Sequence, residues 1–231
     1  MKHIRRTLIA LLIVTVLPVL ILRWVNPPTT SFMLQHSLKA RWNSRDHNTI
    51  SHRWEDWKDI SRDASLAVIA AEDQKFPIHW GFDRESISQA WEERRKGIRY
   101  RGASTITQQV AKNLFLWSGG GFIRKGVEAY FTVLIELLWS KQRILEVYLN
   151  VAEFGDGVYG VGAASRKYFR KTPRRLRRGE CALLATVLPS PKRLRLDRPS
   201  SYMHRRAARI LFEMTRLERN GRKTQLYKLY K

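Results

Sequence analysis

The chain has 231 residues, with 43 Lys and Arg against 20 Asp and Glu and a formal charge of +23, which leaves about 200 residues for one globular domain behind a compositionally distinct N-terminus. The single cysteine, Cys181, excludes an intramolecular disulfide framework and reads as a core residue, and no Cys/His cluster has zinc-site spacing. Such a charge requires an anionic partner, and nucleic acid, anionic lipid head groups and a phosphorylated substrate all qualify.

The first predicted element follows Arg5 and Arg6. Thr7 to Leu22 carries no charge and is closed by Arg23 and Trp24. The run is short for a ~30 Å hydrocarbon core, but Arg6 and Arg23 can reach outward to the head groups and Trp24 suits the interface. It predicts one transmembrane helix. No small-x-small cleavage site follows, so the segment reads as an uncleaved anchor. Residues 1–25 are then a cytoplasmic N-terminus and anchor, and 26–231 a single domain outside the cytoplasm, against the membrane. Basic residues ahead of the run favour that orientation, although Arg23 and later basic residues dilute the asymmetry. Asn26-Pro-Pro-Thr-Thr30 reads as a stiff linker, because paired prolines extend the chain.

Beyond the linker the apolar period is helical: Leu66, Ile69 and Ala70; Val127, Tyr130, Phe131, Leu134 and Leu138; Ile144, Leu145, Tyr148 and Leu149. Alternation of strand type is scarce and there is no internal repeat, which predicts a mainly α domain with few or no strands. Polar or glycine-rich joints fall at 77–83, 96–103, 118–121 and 155–162. Arg166 to Arg178 has eight basic residues and no acid, a patch that is either simply solvated or attached to anionic head groups.

Glu72 and Asp73 end an apolar helical run just before Pro77. Apolar neighbours would raise the pKa of Glu72 into the range of a general base, whereas without such surroundings the pair are ordinary surface acids. Thr105 and Gln108 have capping-box spacing, so a helix starting there presents backbone N–H groups to an anion, with Gln108 and Lys112 on one face. Arg124 and Glu128 lie one helical turn apart, with Glu136 two turns further on. Glu136, among leucines and an isoleucine, reads as a structural ion-pair member, and His79 as a structural hydrogen-bonding residue. Leu114 to Trp117 with the glycines after it is either a loop dipping toward lipid or one anchored by core aromatics.

Five motifs stand in order. Glu-Asp-x-x-Phe-x-x-His-x-Gly spans Glu72 to Gly81, and Gly-x-Ser-Thr-Ile-x-Gln-Gln-x-x-Lys-Asn spans Gly102 to Asn113. Arg-Lys-x-x-Glu follows at Arg124 to Glu128, and Lys-x-x-Ile-Leu-Glu-x-Tyr-Leu-Asn at Lys141 to Asn150. Gly-x-Tyr-Gly-x-x-Ala-Ala with Tyr168-Phe169 completes the set. Together they resemble the peptidoglycan glycosyltransferase family, found alone or as the N-terminal module of class A penicillin-binding proteins. With no transpeptidase domain in the sequence, the chain is similar to the monofunctional, proteobacterial-type members. It departs from the pattern in the loop before Arg124, which reads Ser118-Gly-Gly-Gly121 where many members carry an arginine near the donor phosphates. Thr132 stands where alanine is usual.

The resemblance implies a lysozyme-like helical domain that polymerises lipid II at a bacterial inner membrane, on its periplasmic side. Glu72 would take the proton from the sugar 4-hydroxyl of incoming lipid II, which attacks the anomeric carbon of the growing lipid-linked strand. Inversion there gives a β-1,4 link and releases undecaprenyl diphosphate. Asp73, Ser104, Thr105, Gln108, Gln109, Lys112, Arg124 and Lys125 are the matching substrate-binding positions, cationic ones facing the diphosphate. Glu128 is the second important glutamate, organising those cations or a divalent ion. Members often depend on Mg²⁺ or Mn²⁺, but no motif here is a closed metal cage. Membrane lipids and cell-wall synthesis or division proteins are the expected partners, and nucleic acid is not.

Two other readings compete. A lysozyme-like hydrolase or lytic transglycosylase would use a glutamate without the cationic array or the anchor. A tethered nucleic-acid-binding protein would account for the charge but leave the glutamates without a role.

Overall fold

Among the described residues the apolar period translates into ten α-helices. In the computed structural model, which describes residues 2–42, 50–97, 104–221 and 225–230, they are α1 (Lys2–Ile21), α2 (Ser31–Trp42), α3 (Arg62–Glu72), α4 (Arg84–Arg95), α5 (Ile106–Phe115), α6 (Phe122–Leu138), α7 (Lys141–Val151), α8 (Gly160–Phe169), α9 (Arg178–Ala185) and α10 (Ser201–Gly221). Three short strands join them: β1 (Ser51–His52), β2 (Glu153–Gly155) and β3 (Val158–Tyr159), in the order β1-β3-β2. The mainly helical expectation holds. Gly102, which opens the second motif, and the joint from residue 98 to 103 lie outside the described residues.

The core forms where α3, α5, α7, α8 and α9 bury their apolar stripes, with Leu66, Ile69, Ile106, Val110, Ile144, Leu145, Tyr148, Leu149 and Ala182 all 2 % exposed or less. Cys181 is among them, and burial pushes its thiol up to about 12, so it is a packing residue and not a nucleophile. Gly160 starts α8 at a φ of +80°, and a Cβ there would lie 2.5 Å from the Asn150 carbonyl oxygen; only glycine allows the β3–α8 turn to approach α7 so closely.

Local chemistry sets the helix starts. Ser61 caps α3, Asp83 caps α4 and Ser140 caps α7, each accepting a backbone N–H. At α5 the capping box read from the sequence is complete, with the Thr105 side chain accepting from Gln108 N–H and the Gln108 side chain accepting from Thr105 N–H.

The N-terminal segment is fastened rather than hinged. Trp139 Nε1 donates to the Val19 carbonyl at 2.7 Å, and the Arg143 guanidinium donates to the carbonyls of Leu22 and Val25 and to Asn26 Oδ1. Pro27 and Thr30 of the proline segment are buried, and Thr30 caps α2. Outward from these contacts α1 exposes Ile9, Leu12, Ile13, Val14 and Leu17. Among the described residues, no helix is long and apolar enough to cross a membrane.

The basic stretch 166–178 is only partly a free surface. Arg166 pairs with Glu55 at 2.6 Å, Lys171 with Glu180 at 2.6 Å, and Arg178 with Asp63 and Glu218 at 2.9 and 2.8 Å. Lys167, Arg170, Arg175 and Arg177 point to solvent. The stretch therefore divides its charge between holding α8 and α9 in place and presenting a basic face.

Candidate active site

Glu72 is the last residue of α3. The helix stops there because Asp73 turns out of helical geometry and spends its carboxylate elsewhere: both oxygens lie 2.9 Å from His79 Nε2, and Oδ2 accepts the Ile106 N–H at 3.0 Å. This capping of α5 from α3 locks the two helices end to end, with Asp73 and the His79 side chain both buried. Helix termination thus precedes Pro77 and is set by Asp73, not by the proline ring.

The Glu72 side chain is 13 % exposed. Burial raises its pKa; the Gln109 hydrogen bond and then Arg206 oppose that rise. Gln109 Nε2 donates to Glu72 Oε2 at 3.1 Å, while the Tyr148 hydroxyl donates to Gln109 Oε1 at 3.1 Å. The order of these bonds fixes the amide: a carboxylate only accepts, so the NH₂ end of Gln109 must face Glu72. Arg206, from α10, approaches Glu72 Oε1 at 3.5 Å.

Lys112 lies one turn beyond Gln109 on α5, and the two line a cavity of about 100 Å³ together with Phe32, Asn113, Tyr148 and Glu153. Burial lowers the Lys112 pKa; attraction to Glu128 opposes this, and repulsion from Arg124 and Lys125 adds to it. The first turn of α6 supplies that cluster. Arg124 donates to Glu128 Oε2 at 2.8 Å and Lys125 to Glu128 Oε1, while Glu128 itself is 2 % exposed. Three cations then meet one carboxylate, a net positive site suited to a diphosphate. Gly121 begins α6 with no side-chain cap, which leaves the first-turn N–H groups to face an anion as well.

The ten candidate residues separate into two groups. Glu72, Gln109, Lys112, Arg124, Lys125 and Glu128 are neighbours linked through α5, with Gln109 and Lys112 in the cavity wall, and Ser104 is exposed just before α5. Asp73, Thr105 and Gln108 are buried in its frame: Thr105 donates to the Gly81 carbonyl at 2.6 Å, and Gln108 completes the cap. Glu128 as a metal ligand does not fit, since both of its oxygens already hold cationic side chains. Glu136 is structural, bound by Thr107 at 2.6 Å and Lys141 at 2.8 Å. The Leu114 to Trp117 segment divides as well: Leu114 and Leu116 are buried and Phe115 stacks on Phe131, whereas Trp117 faces outward.

Arg206 escaped the sequence reading. It sits in a basic run, His204-Arg-Arg206, like several others in the chain, and nothing local distinguishes it. Tyr148 was read as a core apolar position, which it is, but its hydroxyl reaches the site.

The model of the family described as Transglycosylase matches residues 39–215, a span that contains Glu72, Gln109, Lys112, Arg124, Lys125 and Glu128. The chain belongs to the transglycosylase family. Similar curated proteins include the biosynthetic peptidoglycan transglycosylases of Pseudomonas entomophila strain L48 (48 % identical, covering 94 % of this chain and 92 % of the relative) and Shewanella oneidensis strain MR-1 (48 %, covering 92 % and 90 %). That of Xanthomonas axonopodis pv. citri strain 306 is 53 % identical over 85 % of this chain and 80 % of its own. In this transglycosylase domain the buried glutamate and the cationic row belong to adjoining helices, α3, α5 and α6.

Proposed function

We propose that this chain polymerises lipid II into β-1,4-linked glycan strands for the bacterial cell wall. One observation carries the reading: α5 presents Gln109, bonded to Glu72, a carboxylate whose pKa burial has raised, and one turn on Lys112, which faces the Arg124, Lys125 and Glu128 cluster. A base and a diphosphate cradle in one cleft fit glycosyl transfer from a lipid diphosphate; the relatives' names support the same class of reaction.

In this reading Glu72 accepts the proton of the attacking 4-hydroxyl as its oxygen bonds to the donor anomeric carbon. The carbon–oxygen bond to the diphosphate breaks, and the electron pair leaves on the phosphate. Lys112, Arg124, Lys125 and the open start of α6 receive that developing charge. Glu128 holds the two α6 cations at fixed positions. Gln109 aims Glu72, and Ser104 at the start of α5 adds a donor to the diphosphate, while Asp73, Thr105 and Gln108 keep the base and the cations in register from below. No step is routed through a metal.

We further propose that residues 1–25 form a cytoplasmic N-terminus and a single-pass anchor, Thr7 to Leu22, in the inner membrane, with 26–231 as the periplasmic catalytic domain. Support comes from the exposed apolar side chains of α1 and from Trp117, Phe122 and Ile123, which expose apolar surface near the cationic row of α6. Anionic head groups would meet Lys167, Arg170, Arg175 and Arg177. Cell-wall synthesis or division proteins are proposed as partners on the family resemblance alone.

The test incubates the detergent-solubilised full chain with labelled lipid II, beside Glu72→Gln, and digests the product with a muramidase. The expected result is digestible polymer from the wild type and about 100-fold less or lower from the variant. Equal polymer from both, or none from the wild type across detergents and divalent ions, would overturn the proposal.

A further inference from the structure

Outside the cationic row, a second group of side chains converges on one point. His36 of α2, Glu153 of β2 and Asp156 of the turn between β2 and β3 each bring one ligand atom to within 4.8 Å of the others. Among the described residues this is the one such grouping of three or more His, Cys, Asp or Glu side chains. Ligands at about 2.0–2.2 Å from a shared ion stand roughly 3 Å apart when adjacent and about 4.3 Å apart when opposite. The three ligand atoms, within 4.8 Å of one another, stand at or somewhat wider than that spacing, so side-chain rotation has to draw them onto an ion.

The surroundings are those of a supported site. The Tyr159 hydroxyl lies 3.2 Å from His36 Nδ1, an outer contact of the kind that orients a ligating imidazole. Gly157 N–H donates to Glu153 Oε1 at 3.2 Å and holds that carboxylate in the turn. Two carboxylates and an imidazole make a local negative site in a chain of charge +23. Lys192, well exposed, is one cation paired with it, 3.4 Å from Asp156. Glu153 and Tyr159 also line the cavity that Gln109 and Lys112 line, so an ion here would stand at the wall of the catalytic cleft.

We propose that His36, Glu153 and Asp156 form a binding site for a divalent first-row transition ion. One imidazole with two carboxylates, and room for water, suits Mn²⁺ or Zn²⁺ better than Ca²⁺ or Mg²⁺, which favour oxygen ligands throughout. The site is separate from the Glu128 position, where cationic side chains occupy both carboxylate oxygens. It does not depend on the proposed reaction, because binding is read without turnover.

The experiment titrates Mn²⁺ into the metal-stripped full chain in detergent and follows loss of the free-ion signal by electron paramagnetic resonance. The wild type should bind one ion. Glu153→Gln and His36→Ala should each weaken binding at least tenfold, with helical circular dichroism confirming that they fold. Lys192→Ala, which removes the competing cation at an exposed position, should bind several-fold more tightly. Glu72→Gln should bind as the wild type does, marking the site as distinct from the catalytic carboxylate. No saturable binding in either the wild type or Lys192→Ala overturns the proposal. So does binding that both ligand variants retain, which would be an adventitious ion only.

Discussion

Replacing Tyr148 by phenylalanine deletes one oxygen and keeps the ring that fills the core. In the structure that oxygen donates to Gln109 Oε1, and the other end of the same amide donates to Glu72. Without it, Gln109 loses the contact that fixes its orientation, and Glu72 loses part of a prearranged donor. A hydrogen bond of this kind contributes about 1 kcal/mol net, and one to a charged group up to about 3 kcal/mol. The polymerisation rate should therefore fall between about fivefold and about 150-fold. Stability should fall by only about 1 kcal/mol, because Gln109 borders the cavity where water can replace the lost donor. The bond from Gln109 lowers the Glu72 pKa. Weakening that bond lets burial raise the pKa further, so the acidic limb of the rate profile should move to higher pH. Rates of labelled lipid II polymerisation measured across pH test this. A uniform loss of rate with an unmoved acidic limb would refute the aiming role, as would an unchanged rate at every pH.

Glu72 should also cost the enzyme stability. Its folded pKa is raised, so the native state binds the proton more tightly than the unfolded chain does; its contribution is fully favourable below the unfolded value near 4.5 and is lost as pH rises through the folded value. Glu72→Gln should accordingly melt higher than the wild type at neutral pH, with the gap narrowing as pH falls toward 4.5, as read by thermal unfolding at several pH values. Lys141→Met leaves Glu136 buried with Thr107 as its remaining polar partner, and should destabilise by about 3–5 kcal/mol in denaturant titration; adding Glu136→Gln should recover part of that. Gly81→Ala places a Cβ 2.6 Å from Thr132 Cγ2 at a φ of +75°, and should cost about 1–3 kcal/mol. Thr132→Ala in the same chain should restore only part of that cost, since Glu136 Cγ still lies 3.0 Å from the added Cβ and the backbone strain stays.

Much of this protein is legible residue by residue. The apolar period declares α3, α6 and α7, the Thr105–Gln108 spacing declares the start of α5, and Arg124 with Glu128 one turn on declares an ion pair, because each depends on neighbours within a helical turn. The motifs carry Glu72, Lys112 and the α6 cations for the same reason. What needed the third dimension was which side chain faces which. Asp73, Thr105 and Gln108 sit in motifs beside residues of the cleft, yet folding turns them into caps and braces between α3, the Gly81 loop and α5. Arg206 reaches Glu72 from 134 positions away, and His36 reaches Glu153 across a comparable gap. Such meetings are set by the packing of α10 and α2 against the core, and no local pattern encodes them. Burial was decided in the same way: the apolar neighbours of Glu72 suggested a raised pKa, but only the closure of helices from distant parts of the chain around that carboxylate removes it from water.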